Sequence, residues 1–150
     1  MGKEKMRVGY TCGVYDMFHV GHLNLFERCK QKCDYLIVGI CDDDYVRSVK
    51  NKEPVIGEED RKRIVGALRC VDEVVMVDAE TTVDKVLAWE KFHYDVLFAG
   101  SDWQGSERFK ETDRQFKEKN LDIEVVFFPY TQNVSTTMLR EKLANNKNNQ

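Results

Sequence analysis

The chain has 150 residues, 42% hydrophobic and 33% charged, with two prolines, which suits one soluble domain with a real core. Its formal net charge of −3 gives no bulk electrostatic reason to bind nucleic acid or a membrane surface. No apolar run approaches the roughly 18 residues of a membrane span.

In chain order, "RVGYTCG" is β-rich and predicts a strand, and "VGHLNLFERCKQKC" follows with helical periodicity. "DYLIVGICDD" is a continuous apolar run bounded by acids, as expected of a strand buried on both faces. "GEEDRKRIVGALRCV" reads as a helix with acids in its first turn. "DEVVMVDA" reads as a strand, and "TTVDKVLAWEKFHY" as one helix opened by a threonine cap. "DVLFAGSDW" is a strand running into a loop, "ERFKETDRQFKEKN" a charged helix, and "DIEVVFFPY" a strand. "STTMLREKLANN" closes the chain as a helix with Ser135 as candidate N-cap. Residues 145–150, "NNKNNQ", read as a disordered tail. Strands and helices alternate without a linker or repeat. The expectation is one α/β domain over 1–150, Rossmann-like and doubly wound on a five-stranded parallel sheet, with ligands at the carboxyl ends of its strands.

The five cysteines (Cys12, Cys29, Cys33, Cys41 and Cys70) are odd in number, and "MGKEKMRVGY" has no signal-type apolar run. Both point to a reduced, cytoplasmic chain. Cys29 and Cys33 stand at i, i+4, but no second Cys/His pair is placed at zinc-ligand spacing, so no metal site is assigned.

Four segments then meet on the carboxyl rim. Gly13 to His22 follow the first strand, Lys50 and Lys52 lie beyond the second, Gly100 to Trp103 follow the fourth, and Tyr130 to Thr137 join the last strand to the last helix. Together they offer helix N-termini, cations, imidazoles and hydroxyls, the groups that hold a triphosphate.

"GVYDMFHVGH" resembles the G-x-F-D-x-x-H-x-G-H motif of the cytidylyltransferases, within the His-x-Gly-His nucleotidyltransferases. "EEDRKRIVGALRCVDEVV", "FAGSDWQG" and "NVSTTMLR" are similar to three further segments of that family, in the same order. The likeness runs from about Arg7 to Leu143, and the small glycerol-3-phosphate cytidylyltransferases are the nearest subfamily.

The resemblance implies transfer of CMP from CTP, with Mg²⁺ bound to the nucleotide, to a small alcohol phosphate such as glycerol 3-phosphate. A CDP-alcohol and pyrophosphate result. It implies that His19 and His22 donate to phosphates and to transition-state charge, and that Gly21 lets the nucleotide approach the backbone. Lys50 and Lys52 would bind phosphates, Arg61 matches the arginine of E-x-x-R, and Asp16 would place the metal or the loop. Gly13, Val14, Tyr15, Arg69, Asp72, Gly100, Asp102, Thr131, Ser135, Thr136 and Thr137 complete the implied nucleotide site, and a homodimer is implied as well. Simpler readings stand beside these. The lysines could be merely solvated, Arg61 could pair with Glu58, Asp72 could cap a turn, and Ser135 could be only a cap.

The chain departs from its subfamily in "YTQNVSTT", where the usual segment is R-T-E-G-I-S-T-T. Tyr130, Gln132 and Asn133 replace arginine, glutamate and glycine, and Ser101 stands where an aspartate is common. Losing the guanidinium removes a bidentate phosphate contact that tyrosine cannot copy. Two other functions stay open: adenylyl transfer to a flavin or sugar phosphate, and nucleotide binding without catalysis.

Overall fold

The central strand of the fold is also its first. The computed structural model describes residues 5–131 and 134–148. Five parallel strands, β1 (Val8–Gly13), β2 (Tyr35–Cys41), β3 (Glu73–Val77), β4 (Val96–Gly100) and β5 (Glu124–Phe128), lie in the order β3-β2-β1-β4-β5. The order reverses between β1 and β4, the switch point at which doubly wound sheets bind ligands. β1 pairs with β2 along its whole length, from Val8↔Tyr35 to Gly13↔Ile40. With β4 it pairs only through Gly9↔Val96 and Tyr10↔Leu97. Past that point the Thr11 hydroxyl donates to the Phe98 carbonyl at 3.0 Å, and a crevice opens.

Helices cover both faces. On one, Phe26 and Cys29 of α1 (Val20–Gln31) and Val65 of α3 (Glu58–Gly66) pack on Val38, Ile40 and Phe98. On the other, Val86 and Ala88 of α5 (Lys85–Phe92) and Phe109 and Phe116 of α6 (Glu107–Glu118) pack on Tyr10, Ile37 and Leu97. Burying both faces requires the uninterrupted apolar runs seen in β2 and β4. Among the described residues no helix is long and apolar enough to cross a membrane.

Four elements differ from expectation, the first being α3, which stops at Gly66 where a helix through Val71 is expected. A short helix, α2 (Asp43–Ser48), follows β2, its N-cap Asp42 accepting from the Tyr45 amide at 2.8 Å. The single helix expected over 81–94 is two, α4 (Ala79–Val83) and α5. The break is at Asp84, whose extended backbone lets its carboxylate accept from the Val86 and Leu87 amides, so an aspartate expected inside a helix caps a new one. α7 (Thr136–Asn148) runs four residues into the stretch expected as tail, keeping 145–148 helical.

Candidate functional site

β1 hands over to α1 through a strained loop. Tyr15 and Met17 have φ of 54° and 48°, left-handed values that cost about 1–3 kcal/mol each outside glycine. Burial of the Tyr15 ring, edge-on against Phe26 and His22, holds the loop in place. The ring fits because Gly13 has no side chain; a β-carbon there would lie 2.8 Å from it.

The two histidines cap α1 reciprocally. His19 is the N-cap, and its Nδ1 accepts from the Gly21 amide at 3.0 Å. Nδ1 of His22 accepts from the His19 amide at 3.3 Å. With both Nδ1 atoms acting as acceptors, the neutral rings carry their protons on Nε2. The rings stack with centroids 3.8 Å apart and both line the crevice. Burial lowers the His19 pKa, and burial followed by the neighbouring His19 lowers that of His22 to about 4, against the opposing pull of Asp16. Both are therefore neutral donors at pH 7. Gly21 serves this stack first: a β-carbon would lie 2.8 Å from Cε1 of His19, so the space expected for a nucleotide is filled by imidazole.

The N-terminus of α7 lines the same cavity, of about 440 Å³. Ser135 accepts from the Met138 amide at 3.0 Å, and Ser135, Thr136 and Thr137 line the cavity. Helix N-termini bind phosphate through free amides and the helix dipole. The two ends are tied through Asp16, which is 4% exposed. Its carboxylate accepts from the amides of Met17, Val55 and Ile56 and from Arg140, and its carbonyl accepts from the Thr136 hydroxyl. Asp16 therefore places the loop; both of its carboxylate oxygens are taken, and it is not free to hold a metal. Among the described residues no group of three or more His, Cys, Asp or Glu could hold a resident metal ion. A magnesium ion arriving on the triphosphate would be bound mainly by phosphate oxygens and water.

Lys50 and Lys52 are exposed and line the cavity from the loop after α2, which Asn51 turns with φ of 55°. Val14, Tyr15, Gly100 and Thr131 line it as well, with the Thr131 hydroxyl accepting from Asn24. Tyr130 reaches the rim, where its hydroxyl donates to Asp102 at 2.7 Å; Asp102 itself does not line the cavity. A β-carbon at Gly100 would lie 2.7 Å from that hydroxyl, so glycine makes room for it. Gln132 and Asn133 lie outside the described residues.

Besides Asp102, three expected site residues lie off the cavity. Arg61 is 1% exposed and does not line the cavity. Its guanidinium donates to the carbonyls of Ile56, Val14 and Cys41 and to the Asp43 carboxylate at 2.6 Å, so it braces three segments beneath the site. Its ion-pair partner is Asp43, not the Glu58 that helical spacing suggested. Arg69 and Asp72 sit at the amino ends of the strands. Asp72 there accepts from the Leu36 amide and from Lys30, so it ties the start of β2 to α1 and does not cap a turn of its own.

The cavity adds three cations that sequence reasoning missed. Arg140 lay within the quoted "NVSTTMLR". Lys85 and Arg108 lay in stretches read only as helix and line the cavity on the α5/α6 face. Lys85 is 5% exposed and donates to the Thr82 carbonyl at 2.6 Å and to Cys12 Sγ at 3.3 Å. A hydrogen bond from Cys41, together with this ammonium, holds the Cys12 thiol below its ordinary range against the opposing effect of burial.

Over residues 10–142 the chain matches the sequence profile of the cytidylyltransferase-like family. It is 34% identical over 139 residues to the glycerol-3-phosphate cytidylyltransferase of Bacillus subtilis (strain 168), covering 93% of this chain and 98% of that protein. It is 36% identical over 129 residues to the FAD synthase of Thermococcus onnurineus (strain NA1), covering 85% and 82% respectively. The bifunctional protein HldE of Koribacter versatilis (strain Ellin345) is 34% identical over 137 residues, which span 91% of this chain and 27% of HldE. Among solved structures, the lipopolysaccharide core biosynthesis protein from Thermoplasma volcanium GSS1 superposes with a TM-score of 0.66 at 24% identity, over 85% of this chain and 98% of that one, a likeness of fold.

Proposed function

The chain belongs to the cytidylyltransferase-like family of nucleotidyltransferases, and on that premise we propose that it transfers CMP from CTP to a small alcohol phosphate, glycerol 3-phosphate first among them. An oxygen of the acceptor phosphate forms a bond to the α-phosphorus of CTP. The bond from the α-phosphorus to the bridging oxygen breaks, and pyrophosphate leaves with the electron pair. The observation that carries this reading is that His19 and His22, each with its Nδ1 committed as an acceptor, line one cavity together with the N-terminus of α7. Neutral donors fixed in place stabilise charge as it develops on the phosphate oxygens without reorganising. Lys50 and Lys52 supply mobile positive charge for the departing pyrophosphate. The magnesium ion belongs to the nucleotide substrate. The reading includes a cytoplasmic homodimer, and sedimentation of the purified protein checks the oligomeric state.

Adenylyl transfer is the second reading, favoured by the likeness to an FAD synthase and by the loss of the subfamily arginine at Tyr130. A pyrophosphate-release screen of CTP and ATP against glycerol, sugar and flavin phosphates separates the two. Release with CTP and glycerol 3-phosphate is the expected result. Release with ATP and not with CTP would replace the first reading by the second.

A further inference from the structure

The cavity does not end at the histidines. Towards α5 and α6 its lining includes Cys12, Lys85, Trp103, Arg108 and Phe109. An aromatic row joins the two cations. The Lys85 ammonium lies 6.0 Å from the Phe109 ring centroid, Phe109 lies 6.0 Å from Trp103, and the Arg108 guanidinium lies 4.7 Å over Trp103.

The two cations are not equivalent. Lys85 is buried and already donates to Cys12 and Thr82. Arg108 is half-buried, and among the described residues no carboxylate lies within ion-pair distance of it, although Arg114 on the same helix has both Glu111 and Glu118. Stacking on an indole engages the face of a guanidinium and leaves its in-plane N–H fork free, the part that grips a phosphate bidentately. Tyr130, in the lining of the same cavity, has no free donor, because its hydroxyl is committed to Asp102, and that carboxylate repels an anion.

Resting on the transferase reading, we infer that Arg108, held over the Trp103 ring, grips the phosphate of the acceptor. It would supply from α6 the guanidinium that "YTQNVSTT" lacks at position 130. The acceptor phosphate then lies against α6, while the nucleotide phosphates lie against the histidines and the N-terminus of α7.

The test is steady-state kinetics of wild type, Arg108→Ala and Arg108→Lys with the nucleotide and acceptor that the screen selects. Arg108→Ala should raise the acceptor KM by roughly 10- to 100-fold, the range for losing a charge-assisted contact, while the KM for the nucleotide moves less than about 2-fold. Arg108→Lys should recover only part, since an ammonium cannot bind bidentately. An unchanged acceptor KM in Arg108→Ala overturns the inference and leaves the transferase reading intact. A readout independent of turnover is calorimetric titration of inorganic phosphate into protein saturated with a non-hydrolysable analogue of CTP. Phosphate binding that Arg108→Ala abolishes supports the inference even if no nucleotide–acceptor pair releases pyrophosphate, in which case the transferase reading alone fails. Equal phosphate binding by wild type and Arg108→Ala overturns it.

Discussion

Arg140 donates to Oδ2 of Asp16 at 2.9 Å, joining the loop after the first strand to the last helix. Asp16 is buried and Arg140 partly exposed, so the two ends of this pair are unequal. Asp16→Ala leaves the Val55 and Ile56 amides and a guanidinium without their acceptor. The expected loss is about 3–5 kcal/mol of folding stability, measured by urea denaturation. Arg140→Ala should cost less than half of that. Equal costs would show that Asp16 does not anchor the 55–56 segment.

The reciprocal caps allow catalysis to be separated from folding. In His19→Asn and His22→Asn, a short side-chain oxygen can replace Nδ1 as the cap acceptor, but nothing replaces the Nε2 donor. Each should lower kcat by roughly 10²-fold, as for loss of one transition-state donor, with the melting temperature near that of wild type. The alanine variants should also lose about 1 kcal/mol of stability, as for a lost cap. Near-normal turnover in both asparagine variants would remove the histidines from the chemistry.

Neutral histidines set the pH response. In the unfolded chain His22 takes up a proton below about 6.5, but in the folded protein only near 4. Between those values the unfolded state binds more protons, so stability rises with pH across that window and falls as pH drops through it. His22→Asn should flatten that slope in denaturation series from pH 7 to pH 4. Once the second ionisation of the acceptor phosphate near about pH 6 is allowed for, turnover should show no further loss centred on 6.5.

Arg61 is expected to act on the fold. Arg61→Lys offers one ammonium where a planar fork serves three carbonyls and a carboxylate. It should unfold several degrees below wild type. Any soluble fraction should keep the wild-type KM for nucleotide, whereas a phosphate-binding role would raise KM at unchanged stability.

The strands and the order of the rim loops were legible because each strand is an apolar run with sharp polar ends, such as "YLIVGIC". The reciprocal caps of His19 and His22 were half legible. Their place at a helix start could be read, but the stack that Gly21 admits could not, because ring packing leaves no periodic trace. Arg61 misled for a related reason: a motif match fixes which residue is present, not whether it points into the cavity or beneath it. Lys85 and Arg108 were hidden because a cation on an amphipathic helix looks solvated until the topology puts a cavity beside it. Asp84 shows local chemistry overriding a longer pattern, since one carboxylate cut an expected helix in two.

The short pairing of β1 with β4 makes the sheet two leaves, β3-β2-β1 and β4-β5, stitched by two residue pairs, by Val8 with Asp95 at the amino end and by the Thr11 hydroxyl beyond. A nucleotide in the crevice would lie across that seam and become its missing stitches. Amide exchange at Cys12, Gly13, Ala99 and Gly100 should therefore slow on binding more than exchange in the β1–β2 ladder. Thr11→Val should make the resting protein breathe along the seam while the nucleotide-bound protein stays closed.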